Sequence, residues 1–194
     1  MYFYTVAFSR LSPMKHLLHL LLYIFLFASC KKDEIKLLPP ITTSGANTMG
    51  AIVDGKAWIA NGGTGFQPPK PVEGGYHGTY SYDVTRNNVL ITSYSKDKTG
   101  FQFYLRDVSK PGEYLLNSYT NLSGGELKQP MNYGAYYIPG KVYMTTSEHT
   151  GKVIVTRADT VNGIVSGVFE FTAVHGGETV TVSNGRFDVD LKMQ

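Results

Sequence analysis

The chain has 194 residues, with 18 basic and 15 acidic side chains for a net charge of +3, and a single cysteine. One domain with a sizeable core fits that length, a lone thiol excludes an intramolecular disulfide, and no basic patch interleaved with aromatics marks a nucleic-acid partner. Glycine (21) and tyrosine (14) are abundant while long Ala/Leu/Glu/Lys runs are absent, a mixture that favours strands and turns over helices.

The first element is the run Leu17 to Ala28, 12 residues that are apolar apart from His19. As a helix it would be roughly 18 Å long, short of the ~30 Å hydrocarbon core of a bilayer. Arg10 and Lys15 precede it and no acid occurs in the first 29 positions. A basic flank, a short apolar core and small residues at its end predict a cleaved signal peptide over residues 1–29. Met14-Lys15 makes a more compact start for such a segment than Met1. The run closes on Leu26-Phe27-Ala28-Ser29-Cys30, which resembles a bacterial lipobox, with Phe27 where an aliphatic residue is usual. The resemblance implies that Cys30 is diacylated and becomes the new N-terminus. Two or three acyl chains anchor stably where one does not, because each buried CH₂ contributes ~0.8 kcal/mol. Lys31-Lys32-Asp33-Glu34 resembles the charged export tag of Bacteroidetes-type surface lipoproteins. Without Arg10 and Lys15, 16 basic residues face 15 acidic ones, a net charge of +1.

Residues 30–48 contain Pro39-Pro40 and small polar side chains without periodicity. They read as a lipidated tether that, fully stretched, would reach ~60 Å and hold the body clear of the headgroups. The body follows, over residues 49–194. Gly50 to Ile59 is the first strand candidate, with Asp54-Gly55 as a turn within it, and Pro68, Pro69 and Pro71 then enforce a loop. Tyr80, Tyr82 and Val84 alternate with polar neighbours, as do Val89 with Ile91, and Phe101 with Phe103 and Leu105. Alternation with period two places each set on one face, as in half-buried antiparallel strands. Residues 117–134 break the pattern as the longest irregular stretch, and loops of that length in compact domains are often functional. Lys152 to Ala158, Ile164 to Val174 and Thr179 to Leu191 form a meander through turns at Asn162-Gly163 and Gly176-Gly177. In the last of these, Val180 and Val182 are even-numbered but Phe187, Val189 and Leu191 are odd, so a β-bulge at Asn184-Gly185 is required, with glycine as the bulge residue. The predicted fold is an all-β, antiparallel two-sheet sandwich of about nine or ten strands, with a closed calycin-like barrel as the alternative.

Two segments carry a further resemblance: LLPPITTSGANTMGAIVDGKAWIANGG (Leu37 to Gly63) and VSGVFEFTAVHGGETVTVSNGRFDVDL (Val165 to Leu191). Both are similar to a family of uncharacterised Bacteroidetes-type lipoproteins with a Leu-Pro-Pro tether, a Gly-Ala-Asn-Thr start and a C-terminal Asn-Gly-x-Phe-Asp-Val strand. The family is a domain of unknown function. The resemblance therefore implies an address and an architecture, and transfers no catalytic residue.

Motifs with chemistry are few. Trp58, the only tryptophan, sits among Ile52, Val53 and Ile59 and reads as a core anchor. The groups Gly62-Gly63-Thr64-Gly65 and Gly74-Gly75 lack the Lys-Ser/Thr of a phosphate loop. His77, His149 and His175 have no ligand spacing, so no metal and no cofactor is expected. Asp188 and Asp190 share a strand face beside Arg186; such a pair can hold calcium or move a proton, but a solvated outer face explains it as well. No Gly-x-Ser-x-Gly elbow occurs and no carboxylate pair marks a glycosidase, so an enzyme is not expected. Tyrosine is the one enrichment that suggests binding: eleven of them lie between Tyr76 and Tyr143. Tyr119, Tyr133, Tyr136 and Tyr137 fall in or beside the long irregular stretch with Asn117, Asn121, Gln129 and Asn132. Rings and amides suit sugars and protein surfaces alike, and a sheet covering is the plainer alternative. The expected role is a membrane-anchored lipoprotein of the outer envelope, surface-exposed and non-catalytic, that binds a glycan or an envelope protein. The alternatives are an accessory subunit of an envelope assembly or, if the sheet closes around a cavity, a small lipid carrier.

Overall fold

The computed structural model describes residues 34–76, 87–119 and 131–191. The predicted signal peptide over residues 1–29, Cys30 and the Tyr80/Tyr82/Val84 alternation lie outside the described residues.

Eleven strands are present among the described residues: β1 (Thr48–Val53), β2 (Lys56–Ile59), β3 (Val72–Tyr76), β4 (Val89–Tyr94), β5 (Gly100–Leu105), β6 (Gly112–Leu116), β7 (Tyr133–Ile138), β8 (Lys141–Met144), β9 (Gly151–Asp159), β10 (Ile164–His175) and β11 (Glu178–Asp190). All pairings are antiparallel. The Asp54-Gly55 turn joins β1 to β2, with both residues at positive φ (47° and 83°) as a tight hairpin turn requires. β3 was not foreseen: Val72-Glu73-Gly74-Gly75 carries too little apolar alternation to announce a strand, and only its ladder to β4 makes it one.

The strands run in the order β2-β1-β11-β10-β8-β7-β5-β4-β3, with β9 and β6 branching from β10. β10 is where the sheet divides. Its first half, Ile164 to Phe171, pairs with β9, whereas near its end Val174 alone pairs with Met144 of β8. The sheet therefore curls into a half-barrel of two facing halves: sheet one (β2-β1-β11-β10-β9-β6) and sheet two (β8-β7-β5-β4-β3). They stack as the sandwich expectation requires and stay joined at one seam as a barrel would. Side chains reinforce that thin seam. Lys141 Nζ and Tyr143 Oη of β8 both donate to Glu178 Oε2 at the start of β11 (2.6 and 3.0 Å), and the His175 ring meets the Val142 carbonyl at 3.0 Å.

Aromatic rings fill the space between the halves. Phe101 and Phe103 of β5 meet Phe169 and Phe171 of β10 with centroids 4.7–6.1 Å apart. Such pairs add about 0.5–1.5 kcal/mol each beyond the area they bury. Trp58 joins this core as expected, edge-on to Phe101 at 4.6 Å, with its indole N–H donating to Thr99 Oγ1 at 2.7 Å. A ring-filled interior is the opposite of what a lipid carrier needs.

The bulge in β11 is present, with a different division of labour. Register shifts between Phe169 and Phe171, and Asn184 is the residue at positive φ (52°). Gly185 is glycine for another reason: the Phe169 ring lies flat where its Cβ would stand. The bulge thus lets Val182 and Phe187, five apart, both face the core.

Candidate binding face

Each half has an outer face, and the two differ in kind. On sheet one the outward residues of β10 and β11 include Ser166, Val168, Arg186 and Asp188, with Ser166 directly opposite Asp188. The segment 34–47, expected to be a free tether, is instead laid across these strands as a strap. It starts with one helical turn (34–37), where Glu34 Oε2 accepts the free-edge N–H of Ala57 in β2 at 2.7 Å. Leu38 is buried, and Pro39 packs on Gly50 so closely that a side chain there would collide with it.

The strap ends on Asp188. One carboxylate oxygen accepts Gly45 N–H (2.8 Å) and Ser166 Oγ–H (2.7 Å). The other accepts Thr42 Oγ1–H (2.7 Å), Ser44 N–H (2.9 Å) and Ala46 N–H (3.1 Å). Asn47 then accepts the Asp190 N–H at 2.9 Å, while Arg157 donates to the Thr43 carbonyl. Asp188 is thus 1% exposed, which corrects the solvated-face reading. Burial pushes its carboxyl up, but the hydrogen bonds from Ser166, Thr42, Ala46 and Gly45 outweigh that and hold it at about 2. With both oxygens taken by the chain itself, the group is a structural anchor for the strap and is not free to ligate calcium or to relay protons.

Sheet two presents tyrosines. Pairing aligns Tyr94, Gly100, Tyr137 and Val142 in one row across β4, β5, β7 and β8, with Thr92, Gln102, Ala135 and Met144 in the next. Gly100 leaves room for the Tyr137 ring, whose hydroxyl donates to the Ser93 carbonyl and whose centroid lies 5.8 Å from that of Tyr94. Burial and the neighbouring Tyr94 push the Tyr137 phenol up, so it stays a neutral donor. Deeper along the same face Tyr104 and Tyr133 stack at 6.1 Å, both buried with Ala135 and Met144. Tyr133 Oη donates to Gln102 Oε1 at 3.0 Å.

The four tyrosines singled out in the sequence therefore separate. Tyr133 and Tyr137 share the outer face. Tyr119 stands 65% exposed beside Ser118, whose carbonyl accepts Thr145 Oγ1–H at 2.9 Å. Tyr136 points the other way, into the core against Phe101 at 5.0 Å. Neighbours in a strand must face opposite sides, so the Tyr136-Tyr137 doublet could itself have shown that only one of them is available. Tyr94 was missed as a partner because nothing local links it to Tyr137, 43 positions on. Among the described residues no group of three His, Cys, Asp or Glu side chains is placed to hold a metal ion.

Searches of curated proteins and of solved structures return no match. A family profile matches residues 77–189, from just beyond β3 to the penultimate residue of β11. The chain belongs to the family described as the DUF6252 domain of unknown function.

Proposed function

We propose that the protein is a non-catalytic envelope lipoprotein, held to the membrane through acylated Cys30, that binds a glycan through the outer face of sheet two. The observation carrying this reading is the Tyr94/Tyr137 pair, two half-buried rings with centroids 5.8 Å apart on the outer face of sheet two, with the Gln102 amide and the Thr92 hydroxyl one row away. Sugar rings stack on aromatic faces and take hydrogen bonds from flanking amides and hydroxyls, and a rigid platform loses little entropy on binding. The lipobox-like Leu26 to Cys30 stretch and the apolar run before it support the envelope address. Supporting the absence of catalysis, the buried Asp188 carboxylate has both oxygens engaged by the strap and by Ser166 of β10.

Glycan arrays and affinity gels test the reading. Tyr94→Ala and Tyr137→Ala should each weaken any retained glycan about tenfold or more, as loss of one stacked ring does; retention unchanged by both would place binding elsewhere. A second reading, an accessory subunit of an envelope assembly, is favoured by the exposed Val142, an apolar side chain in the same row as Tyr137. Cross-linking from membranes would then capture one dominant protein through the same face.

A further inference from the structure

The docked strap changes what an anchor at Cys30 would do. An undocked tether would leave ~60 Å of slack, but with Glu34 fastened to Ala57 only residues 31–33 separate Cys30 from the body. However those residues are arranged, Glu34 lies no more than ~14 Å from Cys30. The body of an anchored chain is held against the membrane, and the strap side is the side nearest to it.

That side is also the more aliphatic. Leu37 and Ile41 of the strap are both more than half exposed, as is Leu115 of β6, and Ile59 and Ile154 add to them from β2 and β9. By strand alternation Ile59, Ile154 and Leu115 all project from the outer face of sheet one, because Trp58, Val153, Val155 and Leu116 point into the core. Between Ile41 and the strands runs a groove of about 310 Å³ lined by Ile154, Val168, Phe169, Lys152, Glu170 and Arg186. Exposed Lys36 and Lys56 flank the point where the strap meets β2. Aliphatic side chains bordered by Lys36, Lys56 and Arg186, with Lys152 balanced by Glu113 and Glu170, suit a surface that rests in the headgroup layer of a bilayer.

We infer that the strap face of sheet one lies on the lipid surface, which turns the Tyr94/Tyr137 face of sheet two outward. This rests on the anchoring proposed above. The partner is the lipid itself, contacted by Leu37, Ile41 and Ile154, and the two outer faces divide the work: one seats the body and the other is presented.

The test uses the full lipidated chain in vesicles of phosphatidylethanolamine and phosphatidylglycerol with brominated acyl chains. Tryptophan is introduced at Ile41→Trp or Ile154→Trp on the strap face, and at Val142→Trp on the face of sheet two; Trp58, buried, supplies a constant background. Bromolipid quenching of either strap-face reporter should exceed that of Val142→Trp about threefold or more, with a blue-shifted emission as the indole leaves water. Equal quenching on both faces, stronger quenching at Val142→Trp, or shielding of Ile41→Trp by a co-purifying protein in place of lipid would overturn the orientation. Sedimentation separates the two ideas: a chain that fails to sediment with vesicles refutes the anchoring and the orientation together, whereas one that sediments without face-dependent quenching refutes only the orientation.

Discussion

The two outer faces are built from the same kind of strand yet are finished differently. Sheet one buries a carboxylate under a strap that comes from more than 140 positions away, while sheet two leaves rings standing on its own strands. In the first, the outward-facing Asp188 and Ser166 are covered by the strap and hydrogen-bonded, so the face is a fastening. In the second, the hydroxyl of Tyr137 is satisfied by a neighbouring backbone carbonyl and the ring remains beside Tyr94. A buried polar group costs stability unless its bonds are made, so the completed network on sheet one is architecture, whereas the rings of sheet two are the surface proposed for recognition.

The sharpest way to break this contrast is Asp188→Ala. It leaves three strap N–H groups and three hydroxyls without their acceptor and should cost roughly 3–5 kcal/mol in urea unfolding, with new protease cleavage between residues 34 and 47. If stability and cleavage were unchanged, the strap would not be fastened there. Next comes Gly100→Val, which places a branched side chain in the seat of the Tyr137 ring; a loss of about 2–4 kcal/mol is expected in the same assay, together with loss of any glycan binding.

Acid should act on the strap side. Because the Asp188 carboxyl titrates at about 2 in the folded chain against an ordinary 3.8, its contribution is complete above roughly pH 4 and disappears as pH falls toward 2. Denaturation midpoints measured across that window should decline in the native sequence, and Asp188→Asn should flatten this part of the decline. Smaller still is Trp58→Phe, which keeps a ring against Phe101 but removes the donor to Thr99. About 1–2 kcal/mol is expected from thermal melts, with the strap unaffected. Smallest is Tyr94→Ala, a half-buried ring whose removal should cost under about 1 kcal/mol in thermal melts while weakening any glycan binding about tenfold. A large loss of stability there would turn the platform into a piece of architecture and erase the contrast.

Several of these features were legible beforehand. The alternation Phe101/Phe103/Leu105 announced β5, and the parity change between Val182 and Phe187 announced the bulge, because the pleat repeats every two residues and any odd spacing must be absorbed locally. The bulge residue was misread because Gly185 answers to a ring from the neighbouring strand and not to its own φ. Likewise, alternation placed Asp188 on the outward face correctly and said nothing of what would cover it. The resemblance segments Leu37 to Gly63 and Val165 to Leu191 were noted as two ends of the chain. In the fold they are one unit, joined by β1–β11 pairing and by the Asp188 bonds.

By itself, then, the sequence determined the all-β class, a turn at Asp54-Gly55, the C-terminal meander and the inward side of most strands. Each of these depends on the residue and its nearest neighbours along the chain. Tertiary structure alone decided that residues 34–47 are fastened down, that Asp188 is buried, and that Tyr137 keeps company with Tyr94 while Tyr136 does not. Those outcomes depend on which distant backbone groups arrive at a given carboxylate or ring, and a two-residue period carries no information about arrivals from elsewhere in the chain.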